Sequence, residues 1–258
     1  MCLILLAYKV HPSYPLVVAA NRDEDYERPS SPAEFWKDAP NVLAGRDLRD
    51  KGTWLGITRE GKFAALTNYR DPAAFKKDAP SRGKLIRNYL RNSSSAAAYI
   101  KRVSGNSNEY NGFNIICSDG ADLFVYSNRN GALQKLTAGI YGLSNGFLDT
   151  PWTKVVSGKK ALAAALDKNG AELETALFAL LANRKIAPDN KLPSTGISLE
   201  RERLLSAVFV DSPGYGTRSS AVLVMAKNGW VKFVEKVFNE EREPWIESRF
   251  SFRLNRGN

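Results

Sequence analysis

The chain is poor in the residues that bind metals or form disulfides. It has one histidine, His11, and two cysteines, Cys2 and Cys117, among 258 residues. One histidine and two separated thiols lack the ligand spacing of a zinc site, so no metal is expected. Two cysteines form no disulfide framework, and such usage suits a reducing compartment, here expected to be the cytoplasm. Long apolar runs are missing too. Leu3-Ile4-Leu5-Leu6-Ala7 comes nearest to a signal segment, but no basic residue precedes it, and Lys9 and His11 interrupt it. No other stretch nears the roughly 18 apolar residues of a membrane span, so no transmembrane segment is expected.

Positive charge is plentiful. The 37 Lys and Arg residues outnumber 27 Asp and Glu, for a net charge of +10. That balance favours anionic partners. The basic residues are scattered, however, apart from the lysine pairs Lys76-Lys77 and Lys159-Lys160. With no zinc-finger spacing, RNA-recognition aromatic signature or basic tail beside them, nucleic acid is not an expected partner. The 43% hydrophobic and 25% charged content is that of an ordinary globular protein. The chain is long enough to bury a substantial core, and without an internal repeat or low-complexity linker it reads as one domain, residues 1–258.

Leu3 to Tyr8 and Leu16 to Ala20 are apolar runs separated by His11-Pro12-Ser13-Tyr14-Pro15, the pattern of a β-hairpin. Further strands are expected at 42–45, 54–58, 63–67, 113–117, 122–126, 133–136 and 140–143. A closing hairpin, 219–226 and 230–237, turns at Asn228-Gly229. Helices are expected from an N-cap at Ser81 to about Leu90, over 96–103, 151–166 and 171–181, and over a short piece at 199–205. In the third of these, Asp149-Thr150-Pro151 reads as a cap followed by proline at the first helical position. Strand blocks separated by paired helices argue for an α+β architecture of packed antiparallel sheets.

The hairpin brings chemistry together. With its turn centred near Pro12 to Ser13, facing positions sum to about 25 or 26, so Cys2 faces Asp23 or Glu24. Asn21-Arg22-Asp23-Glu24 then ends its strand beside the first residues of the chain. Removal of Met1 would give Cys2 its own α-amine, with a reference pKa near 8, as general base for the thiol. Arg22 would favour the thiolate, and Asp23 could hold the ammonium or orient the thiol. His11 sits at an exposed turn on the order of 25 to 30 Å along the strand from Cys2, which excludes a Cys-His pair. The same residues also fit a plainer description, a polar turn held by an Arg–carboxylate pair.

Met1-Cys2 followed by apolar residues, then Ala19-Ala20-Asn21-Arg22-Asp23-Glu24 and Arg28-Pro29, resembles the NRDE protein family, which includes the Transport and Golgi organisation protein 2 proteins. Further matching blocks are Gly45-Arg46-Asp47, Gly52-Thr53-Trp54-Leu55-Gly56, Leu66-Thr67-Asn68-Tyr69-Arg70 and Ser81-Arg82-Gly83. Tyr141-Gly142-Leu143-Ser144-Asn145, Pro151-Trp152-Thr153-Lys154 and Gly216-Thr217-Arg218-Ser219-Ser220 follow in family order. The resemblance implies a four-layer αββα sandwich of two packed antiparallel sheets, like that of the N-terminal nucleophile hydrolases. It makes Cys2 the nucleophile, Arg22 and Asp23 its supporting pair, and Asn68 and Asn145 the oxyanion candidates. Asn21, Glu24, Trp54, Tyr69, Arg70 and Arg218 are then the candidate ligand contacts. Two functions stay open. One is hydrolysis of an amide or thioester bond. The other, which the family's associations suggest, is non-catalytic binding or trafficking of haem or acyl-coenzyme A. No cofactor is required by either, with haem a possible bound ligand.

Overall fold

The computed structural model describes residues 2–239 and 243–255. The chain folds as two compact units, residues 1–27 with 138–251, and residues 28–137 with 252–258. Each is built on an antiparallel sheet with helices packed on it, as the α+β reading expects.

The first unit begins with β1 (Cys2–Tyr8) and β2 (Leu16–Asp25). It continues with β10 (Gly139–Leu143), β11 (Asp211–Ser212), β12 (Tyr215–Met225), β13 (Trp230–Val237) and β14 (Ile246–Arg253). The second contains β3 (Ser30–Trp36), β4 (Ala39–Asp47), β5 (Leu55–Thr58), β6 (Phe63–Asn68), β7 (Phe113–Ser118), β8 (Leu123–Ser127) and β9 (Leu133–Lys135). Those seven pair in chain order as a meander, whereas the first sheet runs β10-β1-β2-β12-β13-β14 with β11 on β12. Strands β1 and β2 thus lie inside their sheet, paired on both sides.

Alternation sets what each face does. Leu3, Leu5 and Ala7 of β1, with Val17 and Ala19 of β2 and Val222 of β12, form one apolar cluster with the helices α3 (Thr153–Ala165) and α4 (Gly170–Leu181). Leu162, Leu177 and Leu181 of those helices are fully buried there. Burial of each such side chain stabilises the fold by about 1.5–3 kcal/mol. In the second unit, α1 (Gly83–Leu90) and α2 (Ala96–Gly105) play the same part, and the Leu85, Ile86, Tyr89 and Leu90 face meets Ala64, Leu66 and Ile115 of the sheet. A short helix α5 (Leu199–Leu204) precedes β11. Among the described residues no helix is long and apolar enough to cross a membrane.

Four local expectations need correction. The Asp149-Thr150-Pro151 cap is not one: α3 starts at Thr153, and the Asp149 carboxylate accepts from Gly142 N at 2.8 Å and pairs with Lys159 at 2.8 Å. Ser81 is not the cap of α1, whose N-cap position is Arg82. Strands β3 and β14 were not expected from the sequence pattern; β3 carries Pro32 within a register shift between Ser31 and Glu34, as edge strands tolerate. His11 is at the hairpin turn but buried, its Nδ1 accepting from Ser13 N at 3.1 Å and Tyr14 N at 3.2 Å, its ring stacked on Tyr14.

Backbone proximity makes one glycine obligatory. A Cβ on Gly52 would lie 2.6 Å from the carbonyl carbon of Gly83, where the turn before β5 meets the start of α1. Gly105, by contrast, has open space around its Cβ position at the end of α2. Gly52→Ala is expected to destabilise the protein by about 1–3 kcal/mol, and Gly105→Ala to stabilise it by about 0.4–1 kcal/mol. Urea unfolding midpoints of the two variants check the pair.

Candidate active site

The hairpin register decides which groups meet. Cys2 faces Arg22, not Asp23 or Glu24, and Leu3 faces Asn21. The loop between β1 and β2 is closed by Lys9 N donating to Pro15 O at 2.8 Å, with Lys9 at φ 54°. On the other edge of β1, Ile4 faces Leu143, and the same register carried toward the chain start leads from Cys2 to Asn145. The Ser144 hydroxyl fastens that junction, donating to the Cys2 carbonyl at 3.1 Å and lying 3.4 Å from Asn145 Oδ1. Cys2 is therefore flanked in the sheet by Arg22 on one side and the Ser144-Asn145 turn on the other.

The pleat divides the Asn-Arg-Asp-Glu segment between two faces. Asn21 and Asp23 share the helix-side face with Ala19, while Arg22 shares the opposite face with Cys2. The Asn21 amide donates to Leu181 O and Val208 O, both at 2.9 Å, and accepts from Ser220 Oγ at 2.7 Å. Those three bonds give it a structural task, anchoring the end of α4 and the chain before β11 to the sheet. Glu24 is half-buried and pairs with Arg22 at 3.6 Å.

Asp23 is 1% exposed. Thr217 Oγ1 donates to its Oδ1 at 2.8 Å and is itself held in place by accepting from Val210 N at 2.9 Å. Burial pushes the Asp23 carboxyl above the usual range; the Lys154 charge opposes that shift most strongly, followed in part by the Thr217 bond. Lys154, on the first turn of α3, is 2% exposed. In the sequence Lys154 stands only as the last residue of a matching block, with no role attached to it. A lysine that never leaves the interior is rare without a charge partner, but no periodicity in the sequence marks it as buried.

Strand β12 completes the far side. Arg22 faces Ser219 and Asp23 faces Thr217, with a register break between Thr217 and Ser219 that leaves Arg218 as the extra residue. Arg218 is 8% exposed, and its Nη1 donates to Asp25 O and Tyr26 O, both at 2.8 Å. Burial and the like charge of Arg22 lower its pKa. Tyr215 donates to Asp23 O at 3.2 Å.

The Cys2 thiol is buried, and its pKa is raised. Desolvation is the main cause, with the charges of Asp23 and Glu24 adding to it and that of Arg22 opposing it. The expectation that Arg22 favours the thiolate has the right sign, but burial outweighs it. A thiol in this state needs a base to deprotonate it. Cys117, a free thiol like Cys2, is fully buried in the core of the second unit, and its pKa is also raised by desolvation.

The remaining candidates belong to the second unit. Asn68 ends β6 opposite Phe113, and Tyr69 N donates to Gly112 O at 2.9 Å. Trp54 accepts from Leu66 N through its carbonyl, and its indole lies 2.6 Å from where a Cβ on Gly45 would be. Arg70 is half-buried in the segment that follows. The Arg28 and Asp47 of the matching blocks form a structural ion pair at 2.6 Å, extended to Asp50 at 2.5 Å.

Alkylation of Cys2 by iodoacetamide, followed by peptide mapping, is expected to rise with pH with a midpoint above that of an unperturbed thiol. Asp23→Asn removes a charge that raises the thiol pKa, so the profile of that variant should move to lower pH. A wild-type midpoint at or below the ordinary thiol value, or a profile unmoved in the variant, contradicts these electrostatics.

The profile of the family described as Transport and Golgi organisation 2 matches residues 1–240. A Transport and Golgi organization protein 2 homolog of Bos taurus is 37% identical over 276 residues, covering 98% of this chain and 99% of that protein. The Homo sapiens homolog is 35% identical over 275 residues, covering 98% and 99%. Among solved structures, the Caenorhabditis elegans N-acylethanolamine-hydrolyzing acid amidase ortholog superposes with a TM-score of 0.51 at 12% identity, over 86% of this chain and 92% of that one. At that identity the likeness is one of fold, and it is the N-terminal nucleophile hydrolase fold that the NRDE resemblance implies. With its motif blocks in order and relatives matched end to end, the chain belongs to the Transport and Golgi organisation 2 family.

Proposed function

We propose that the protein hydrolyses an amide or thioester bond through Cys2. The observation that carries this reading is the position of Cys2 at the end of an inner strand, between Arg22 and the Ser144-Asn145 turn. Met1, whose removal the reading requires, lies outside the described residues.

The steps follow from the chemistry of the groups. The thiol begins protonated, so the freed α-amine of Cys2 takes its proton as the sulfur attacks the carbonyl carbon. The carbonyl oxygen becomes an oxyanion, for which the Asn145 side-chain amide is the donor within the first unit. Collapse breaks the C–N or C–S bond. The proton held by the α-ammonium passes to the leaving amine or thiolate. Water then attacks the acyl-Cys2 thioester, giving up a proton to the α-amine, and releases the carboxylic acid with the thiol restored. Asp23 steadies the amine end of this exchange, and the Lys154 charge and the Thr217 hydroxyl oppose the rise that burial imposes on its pKa. On the strength of the family resemblance alone, Asn68 stays an oxyanion candidate and Trp54, Tyr69 and Arg70 stay candidate ligand contacts.

A second reading is favoured by the raised thiol pKa itself. A buried, protonated Cys2 is a poor nucleophile, which leaves non-catalytic binding of an acyl-coenzyme A or haem as the alternative. For haem, the donors are poorly placed: Cys117 and Met225 are buried, and the Nδ1 of His11 already accepts two backbone N–H groups. The net charge of +10 suits either anion, and two cysteines without a disulfide framework favour the cytoplasm under either reading.

Turnover of long-chain N-acyl amides and acyl thioesters separates the two. The hydrolase reading expects Cys2→Ala to lower kcat/KM on the order of a thousandfold or more. It expects Asn145→Ala to lower kcat about a hundredfold with little change in KM. Saturable acyl-coenzyme A binding without turnover, undiminished in Cys2→Ala, supports the carrier instead.

A further inference from the structure

Ser219 is 4% exposed, and its buried Oγ has no hydrogen-bond partner among the described residues. The other hydroxyls at this end of β12 are occupied. Thr217 donates to Asp23 and Ser220 donates to Asn21, both on the helix side of the sheet. Ser219 points to the opposite face, where its neighbour on β13 is Val237, which offers no polar atom. A serine hydroxyl can both donate and accept, and burying one with neither bond made is costly. Folded proteins keep few such groups, and a functional site is one of the places where they are kept.

The strand register puts this hydroxyl in the row of the nucleophile. Cys2 faces Arg22 and Arg22 faces Ser219, so the three side chains stand on one face of the sheet in successive strands. Two strand spacings, about 10 Å, separate the first from the third. The next row on that face is Ile4, Ala20 and Ala221, apolar and with two small side chains. Arg22 pairs with Glu24, beyond the Cys2 row, so its guanidinium leans away from the alanines. In the proposed reaction the oxyanion lies toward Asn145, and the leaving group lies toward the α-amine at the start of β1. The direction left for the acyl group runs across β2, along Ala20 and Ala221, and reaches Ser219.

We propose that Ser219 is a specificity-determining substrate contact, its hydroxyl bonding an oxygen carried on the acyl chain about 10 Å from Cys2. The preferred acyl groups are then oxygenated chains and not plain hydrocarbon. This rests on the reading of Cys2 as the centre of the site, and it applies equally to an acyl group that is bound without turnover.

The test compares the coenzyme A thioesters of ω-hydroxyhexanoate and heptanoate, which differ by a hydroxyl in place of a methyl. Binding is measured by calorimetry in Cys2→Ala and Cys2→Ala/Ser219→Ala proteins, and kcat/KM in wild type and Ser219→Ala. The hydroxylated thioester is expected to be preferred, and Ser219→Ala to reduce that preference about tenfold. The same loss seen in binding, with no turnover in wild type, supports the Ser219 contact and removes the hydrolase reading. Turnover with no preference, or with a preference that Ser219→Ala leaves unchanged, overturns the Ser219 contact and leaves hydrolysis standing. Neither saturable binding nor turnover of either thioester overturns both. Stability gives a separate check, because Ser219→Ala removes no hydrogen bond within the protein. Its urea midpoint should equal or exceed that of wild type, and a marked fall would show that the hydroxyl serves the fold, which also overturns the proposal.

Discussion

A carboxylate that is 1% exposed has to be matched by its surroundings, and much of the first unit is arranged to match Asp23. Removing its hydration costs several kcal/mol unless charge and hydrogen bonds replace it. Thr217 supplies the hydrogen bond from β12, and Lys154 supplies the charge from α3. Each demands a neighbour. Thr217 is oriented by Val210 N, and the register break that follows it turns Arg218 onto the carbonyls of Asp25 and Tyr26. Lys154 can be buried only because α3 packs on β1 and β10, an approach close enough that a Cβ on Gly158 would meet Leu5 at 2.7 Å.

The same constraint explains why the matching motif blocks are spread along the chain. Gly216-Thr217-Arg218 and Pro151-Trp152-Thr153-Lys154 are distant in sequence yet meet at one carboxylate. Other blocks act on the backbone: Gly52 leaves room for Gly83, Gly45 for the Trp54 ring, and Asp47 ties Arg28 while accepting from Arg49 N and Asp50 N. Blocks of one family thus mix residues that hold a site with residues that let strands and turns approach.

Much of the fold was legible because its signals are local. The N-terminal hairpin, the helix over Leu85 to Leu90 and the Asn228-Gly229 turn follow from periodicity and turn chemistry, and the structure has them. The register was misjudged by one to two positions, because it depends on how the 9–15 loop closes and not on the strands themselves. That slip moved Cys2 from Arg22 to its neighbours. Edge strands β3 and β14 escaped because β3 is interrupted by Pro32 and β14 is mostly exposed. The Asp149 cap failed because a better donor, Gly142 N, lay across a turn. Of the candidate site, Cys2, Arg22, Asp23 and Asn145 were singled out from the hairpin and the resemblance. Lys154 was not assigned, since burial of a single lysine is a tertiary fact.

Cys2 stands where a nucleophile would be useful and in an environment that keeps it protonated, so its reactivity rests on deprotonation at the moment of attack. The most direct measurement is intact mass with peptide mapping after brief incubation with a long-chain acyl thioester and acid quench. The expected result is loss of Met1 and an added acyl mass on Cys2 that decays as carboxylic acid accumulates. Retained Met1 in turnover-competent protein, or release of acid with no acyl group ever found on Cys2, would contradict it.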